Sequence, residues 1–125
     1  MATHPSPPKL EVVLPELHAS NGRLDAAKVA EFLDVPLSKL AAALGRSYPS
    51  VHKTPTAEAL QAPLRPIKRS LELLLSVLDS PKAVKIWLRT PHPDLGNLEP
   101  LQLMLDGKAD RVETLLANAL DGIPA

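Results

Sequence analysis

Apolar residues recur along this chain at the three- and four-residue spacing of helix faces, and proline or glycine interrupts each run. The first clear run follows Asp25, a good N-cap, and places Val29, Phe32 and Leu33 on one face before Pro36 ends it. Pro36 also suits the first position of a second helix. There Leu37, Leu40, Ala41 and Leu44 recur at i, i+3, i+4 and i+7, and Gly45 offers a C-terminal cap. Beyond the turn Gly45-Arg46-Ser47, Ser47 can cap a third, shorter helix carrying Tyr48, Val51, His52 and Lys53, which Pro49 and Pro55 keep brief. Two short helices around a tight glycine-containing turn predict a helix-turn-helix at this point.

The longest helix is predicted from Pro66 to Asp79, with Ile67, Leu71, Leu74, Leu75 and Leu78 on one face. Leu73 and Val77 widen that stripe beyond what one partner helix covers, which suits either the centre of the core or a dimer interface. Ser80-Pro81 then opens a short helix with Val84, Trp87 and Leu88, ending at Thr90-Pro91. Residues 91–97 are turn chemistry. Pro100 opens a helix that ends at Gly107, and a last helix from Ala109 to Leu120 carries Val112, Leu115, Leu116, Ala119 and Leu120 toward a cap at Gly122. No stretch alternates with the period of a strand, so the expected fold is all-α, a small helical bundle. Pro5, Pro7, Pro8 and Pro15 oppose helix at the start, so 1–22 reads as a Pro-rich arm, 23–64 as the helix-turn-helix region and 65–125 as a C-terminal helical domain.

Composition narrows the chemistry. At 125 residues and 45% hydrophobic the chain can bury a core, and with one Trp, one Tyr and one Phe that core is built of Leu, Val, Ile and Ala. A formal net charge of +0 means that any surface for nucleic acid is local. The absence of cysteine excludes disulfides, thiolate nucleophiles and cysteine-ligated zinc. The start lacks the basic and apolar regions of a secretory signal, and no run is long enough to cross a membrane, so a cytoplasmic location and no membrane partner are expected. His4, His18, His52 and His92 have no metal-binding spacing, and the five glycines are isolated rather than gathered in a phosphate loop. No serine sits in the glycine-flanked turn of a hydrolase nucleophile. The reading is therefore a non-enzyme with no catalytic residue, no metal and no cofactor.

The segment from Ala83 to Gly122, AVKIWLRTPHPDLGNLEPLQLMLDGKADRVETLLANALDG, carries Trp87-Leu88, Thr90-Pro91, Leu95-Gly96, Pro100-Leu101 and Gly107. In these marks it resembles the toxin-binding domain of the Xre/MbcA/ParS-like antitoxins, and residues 25–80 resemble the degenerate Xre-type helix-turn-helix that precedes it there. Asn97 stands where the family often has Gly, and Glu99 where it has Thr or Ser. Asn tolerates the left-handed backbone that Gly would supply, and Glu99 is a weaker N-cap but still an anion beside a helix start.

The resemblance implies a partner, a RES-domain toxin that degrades NAD or uses it to ADP-ribosylate a target. It also implies that the antitoxin, itself not an enzyme, buries the entrance of the toxin's active site, commonly with the end of its last helix. The pair then represses its own operon through the helix-turn-helix, with the antitoxin as a homodimer. On this chain the toxin-contact candidates are Trp87, Arg89, Asn118, Asp121, Gly122, Ile123, Pro124 and Ala125. Trp87 fits a place in the core between short helices as well as an interface anchor. For operator DNA the candidates are Arg46, Ser47, Tyr48, Ser50, His52 and Lys53, in a stretch where Arg65, Lys68 and Arg69 add positive charge and Glu58 is the one acid between 46 and 69. The other reading is a stand-alone helix-turn-helix regulator whose C-terminal domain serves oligomerisation.

Overall fold

The computed structural model describes residues 14–121. Seven α-helices lie among them: α1 (Ala26–Leu33), α2 (Leu37–Ala43), α3 (Tyr48–Lys53), α4 (Glu58–Leu78), α5 (Pro81–Leu88), α6 (Pro100–Leu105) and α7 (Ala109–Leu120). No strand occurs among the described residues, only isolated bridges between His18 and Leu24 and between His92 and Leu98. The all-α expectation holds.

Local chemistry explains most of the boundaries. The Asp25 carboxylate accepts from the backbone N–H groups of Ala27 and Lys28, Ser47 accepts from Ser50, and Ser80 accepts from Ala83, so three helix starts are capped as their residue types predict. Pro100 stands at the first position of α6. Asp34 and Asp79 end α1 and α4 in the left-handed conformation, with φ of 58° and 60°. Pro36 differs slightly from expectation: it is extended, with ψ 143°, and precedes the first helical residue, Leu37.

Helix α4 departs furthest from its predicted start. It begins at Glu58, not at Pro66, and passes through both Pro63 and Pro66. Each proline removes a rung of the helix ladder, leaving the carbonyls of Ala59 and Ala62 without their i+4 donor, at a cost of about 3 kcal/mol in an ordinary interior. Burial offsets it. Leu60, Leu64, Ile67, Leu71 and Leu74 form one buried stripe down the helix, each worth about 1.5–3 kcal/mol on leaving water. Ser70, buried on the same helix, donates its hydroxyl to the Pro66 carbonyl at 2.8 Å.

The stripe on α4 is covered from within the chain. Pro66 and Ile67 lie beside Ala109 and Asp110 of α7, and Arg69 reaches Glu113 at 3.3 Å, so α4 and α7 advance in the same direction. Val112 and Leu116 close the contact. Leu71, Leu73 and Leu74 are all buried, and Val77 alone of that set is well exposed, at 53%. The apolar surplus on 66–79 that suggested a dimer interface is therefore largely consumed by the fold itself. Helix α4 also runs unbroken through position 64, where two regions were expected to meet.

The N-terminal segment needs a correction too. Leu14 and Leu17 are buried, at 3% and 0% exposure, and Pro15–Leu17 forms a 3-10 turn, so the expected arm is part of the core from residue 14 on. Proline restricts the backbone there without preventing its neighbours from packing. The segment is pinned by two backbone bonds, Asp25 N–H to Leu17 O and Ala26 N–H to Pro55 O, both 2.9 Å. A side chain completes it: Gln61 accepts from the Leu24 N–H at 2.8 Å and donates to the Leu24 carbonyl at 3.0 Å.

Candidate functional site

Between α5 and α6 the chain makes a compact corner. His92 accepts through Nδ1 from the Asp94 N–H at 3.2 Å and precedes a 3-10 turn, Pro93–Leu95, that drives Leu95 into the core. Gly96 and Asn97 follow with φ of 70° and 64°, and the His92 and Leu98 backbones pair across the turn. Asn97 thus adopts the left-handed conformation expected of it. Glu99 sits at the N-cap position of α6 and makes no side-chain cap, as its residue type predicts. Trp87 is half-buried against the core, its ring centroid 5.9 Å from that of His92 at 56°. The Trp-Leu, Thr-Pro and Leu-Gly marks are thereby gathered into one corner that sets how α5 meets α6.

Arg89, grouped with the contact candidates, has an internal task. Its Nη2 donates to the Leu33 carbonyl at 2.8 Å and to the Asp34 carbonyl at 3.3 Å, at the end of α1. Lys85, one helical turn earlier, places Nζ 3.7 Å from the Asp34 carboxylate and 5.1 Å from the centre of the Phe32 ring. Together they fasten α5 to the α1–α2 turn. Periodicity carries no trace of such a link, because its two ends lie more than fifty residues apart. Arg89→Ala is expected to lower stability by about 1–2 kcal/mol in denaturant unfolding, and Arg89→Lys to restore only part, since the shorter lysine side chain carries its ammonium less far toward the two carbonyls that Nη2 reaches.

The comparison with known families settles which segment this corner belongs to. Residues 73–122 match the antitoxin Xre/MbcA/ParS C-terminal toxin-binding domain. No curated protein and no solved structure matches the chain. The matched domain begins on the second half of α4 and takes in α5, the corner, α6 and α7. It supports an antitoxin role with a toxin as the partner, in keeping with the resemblance seen from Trp87 to Gly107.

The exposed apolar side chains follow the same division. Among the described residues the well-exposed large hydrophobics are Tyr48, Val77, Ile86, Leu98 and Leu120, and all but Tyr48 lie in the matched domain. Ile86, at 59%, is the most exposed of them, next to half-buried Trp87. Val77 and Leu120 lie toward the same end of the α4–α7 pair. Sequence reasoning singled out Trp87 and passed over Ile86, which stands two residues from both Val84 and Leu88 and so on the opposite side of the helix from the buried stripe. Asn118 and Asp121 are exposed on and just after α7. Gly122, Ile123, Pro124 and Ala125 lie outside the described residues, as does the predicted cap at Gly122.

The nucleic-acid candidates surround α3. Arg46, Ser47, Tyr48, Ser50, His52 and Lys53 are all exposed, while Val51 holds the helix to the core at 1% exposure. Ser47 spends its hydroxyl on the cap, and Tyr48 and His52 pair their rings at 5.4 Å. The wider basic stretch is less charged in space than in sequence, since Lys68 pairs with Glu72 and Arg69 with Glu113. The ion pairs among the described residues leave out Arg46, Lys53 and Arg65. Among the described residues no group of three or more His, Asp or Glu residues could hold a metal ion, and no helix is long and apolar enough to cross a membrane.

Proposed function

We propose that this chain is an antitoxin that binds a cognate RES-domain toxin, an enzyme that degrades NAD or transfers its ADP-ribose, and silences it by occluding the active site. The observation that carries the reading is the coincidence of the matched toxin-binding domain with the exposed Val77, Ile86, Leu98 and Leu120. Such side chains gain most from a partner that removes them from water. In this reading residues 65–125 serve toxin contact, with Trp87 backing Ile86 and Asn118, Asp121 and the terminal Gly122, Ile123, Pro124 and Ala125 entering the toxin. Residues 23–64 serve operator DNA, with the exposed Arg46 and Lys53 opposite phosphates. A homodimer in the cytoplasm would present two such surfaces to paired half-sites. Inhibition by burial asks for no catalytic group and no cofactor from this chain.

Co-expression with the RES toxin encoded beside it, followed by co-purification and an assay of NAD loss, tests the reading. A stable complex that suppresses NAD consumption is expected. Ile86→Glu is expected to weaken the complex about tenfold or more, a single buried interface side chain being worth upward of about 1.4 kcal/mol. Deletion of 121–125 is expected to restore NAD loss. A stable complex that leaves the toxin fully active on NAD would overturn occlusion.

A further inference from the structure

We infer that the surface this chain offers to the toxin is not confined to the matched domain: it is centred on Ile86 and crosses from α5 onto the last turn of α1 and the α1–α2 turn. The inference rests on the antitoxin reading above. Lys82 and Ile86, with Arg89 at the helix end, are exposed and make the outer face of α5, while Val84 and Leu88 are buried beneath it. At eight residues the helix is about 12 Å long and about 10 Å across. Its outer face alone supplies only a small part of the roughly 800 Å² that a stable interface takes from each partner, a disc about 16 Å in radius. The remainder comes from what lies beside the helix.

On one side that is the end of α1. Arg89 Nη2 donates to the Leu33 and Asp34 carbonyls at 2.8 and 3.3 Å, and Lys85 Nζ lies 3.7 Å from the Asp34 carboxylate, so one side chain's length separates the two elements. A groove between them is walled by Lys28, Glu31, Phe32 and Lys85, and Glu31 and Asp34 are exposed along its α1 side. A partner that takes Ile86 into an apolar pocket therefore reaches Glu31 and Asp34 before its contact is complete. The chemistry agrees: Ile86, at 59% exposure, has a rim of Lys82, Arg89, Glu31 and Asp34 that carries both signs of charge, the arrangement of a protein–protein interface. The occupant is the toxin, because α5 lies in the matched toxin-binding domain and the two carboxylates would oppose phosphate. Seated there, the toxin binds only when α1 is docked on α5, and so favours that state.

The chain has no cysteine, so single cysteines report cover at chosen places. Glu31→Cys and Lys82→Cys lie within the inferred footprint and Lys53→Cys, on α3, lies outside it; all three positions are exposed. Alkylation by iodoacetamide is followed by the mass of this chain, alone and in the purified complex with the toxin encoded beside it. Slowing by about tenfold or more is expected in the complex for Glu31→Cys and Lys82→Cys, with Lys53→Cys unchanged. Thermal midpoints equal to that of the wild-type chain show that the variants fold. Protection of Lys82→Cys without Glu31→Cys confines the contact to the matched domain and overturns the inference, leaving the antitoxin reading in place. Protection of Glu31→Cys without Lys82→Cys, or equal protection of all three, overturns it too, since α5 is then not the centre. Failure of the wild-type chain to bind the toxin overturns the antitoxin reading and this inference together.

Discussion

Leu71→Ala is expected to destabilise the protein by about 3–5 kcal/mol, read as a lower denaturant midpoint with an unchanged slope. Leu71 has no exposed surface and lies mid-way along α4, the helix whose most extensive packing is with α7 and which also carries α5. Truncation there leaves a cavity that neither neighbour can fill, because Leu74 and Ile67 on the same stripe are already packed. A domain of this size has about 5–15 kcal/mol in all, so the substitution removes a large share. Its effect on toxin binding would follow from loss of the folded state, in contrast to Ile86→Glu, which leaves the fold alone. Comparing the two at equal folded fraction separates packing from contact.

The second large effect is expected at Gln61. Its amide accepts from one backbone group of Leu24 and donates to the other, and also lies within 3.4 Å of the Thr56 carbonyl and 3.2 Å of that of Ala57. Gln61→Ala strips a part-buried N–H and C=O of their partners at once, for about 2–3 kcal/mol. Gln61→Glu is expected to be nearly as harmful, because a carboxylate can accept from the Leu24 N–H but has nothing to donate to the carbonyl. Thermal unfolding of both variants checks this, and a glutamate variant as stable as wild type would show that the donor half of the clamp contributes nothing.

Much of the architecture can be read directly from residue types. Asp25, Ser47 and Ser80 cap the helices they precede, Pro100 opens α6, the stripes of α1, α2 and α5 are covered where the repeat places them, and that of α7 is covered as far as Leu116, beyond which Ala119 and Leu120 are exposed. These features are local, decided within one turn of the residue that signals them. What escapes is decided across the chain. The first half of α4 is helical because Leu60 and Leu64 have a core to enter, a fact that the two prolines conceal. Gln61 reads as an ordinary helical residue until Leu24 lies opposite it. Arg89 reads as a free cation for a partner until its Nη2 is seen on the carbonyls at the end of α1. At the candidate surface the repeat separates Ile86, exposed on the side away from Val84 and Leu88, from Trp87 beside that stripe, but it does not foretell the contact of Trp87 with the ring of His92. In the nucleic-acid region the left-handed Asp34 marks a turn that a search for glycine passes over.

The prolines of α4 have a consequence for how the molecule comes apart. Above Ile67 the helix keeps its own ladder and about half of it lies in the matched domain, whereas from Glu58 to Pro66 it depends on what its side chains meet: Leu60 and Leu64 are buried, Gln61 is clamped to Leu24, and Pro63 and Pro66 lie beside Ala43, Leu44 and Met104. Two missing rungs make that stretch the least autonomous part of the longest element. A partial opening, far cheaper than global unfolding, therefore has a natural starting place. It begins at the clamp of Gln61 on Leu24 and stops at Ile67. To release α1 to α3 as a group it must also break the links of Arg89 and Lys85 to the end of α1 and the contact of α2 with α6, while α5, α6 and α7 stay folded on the remaining half.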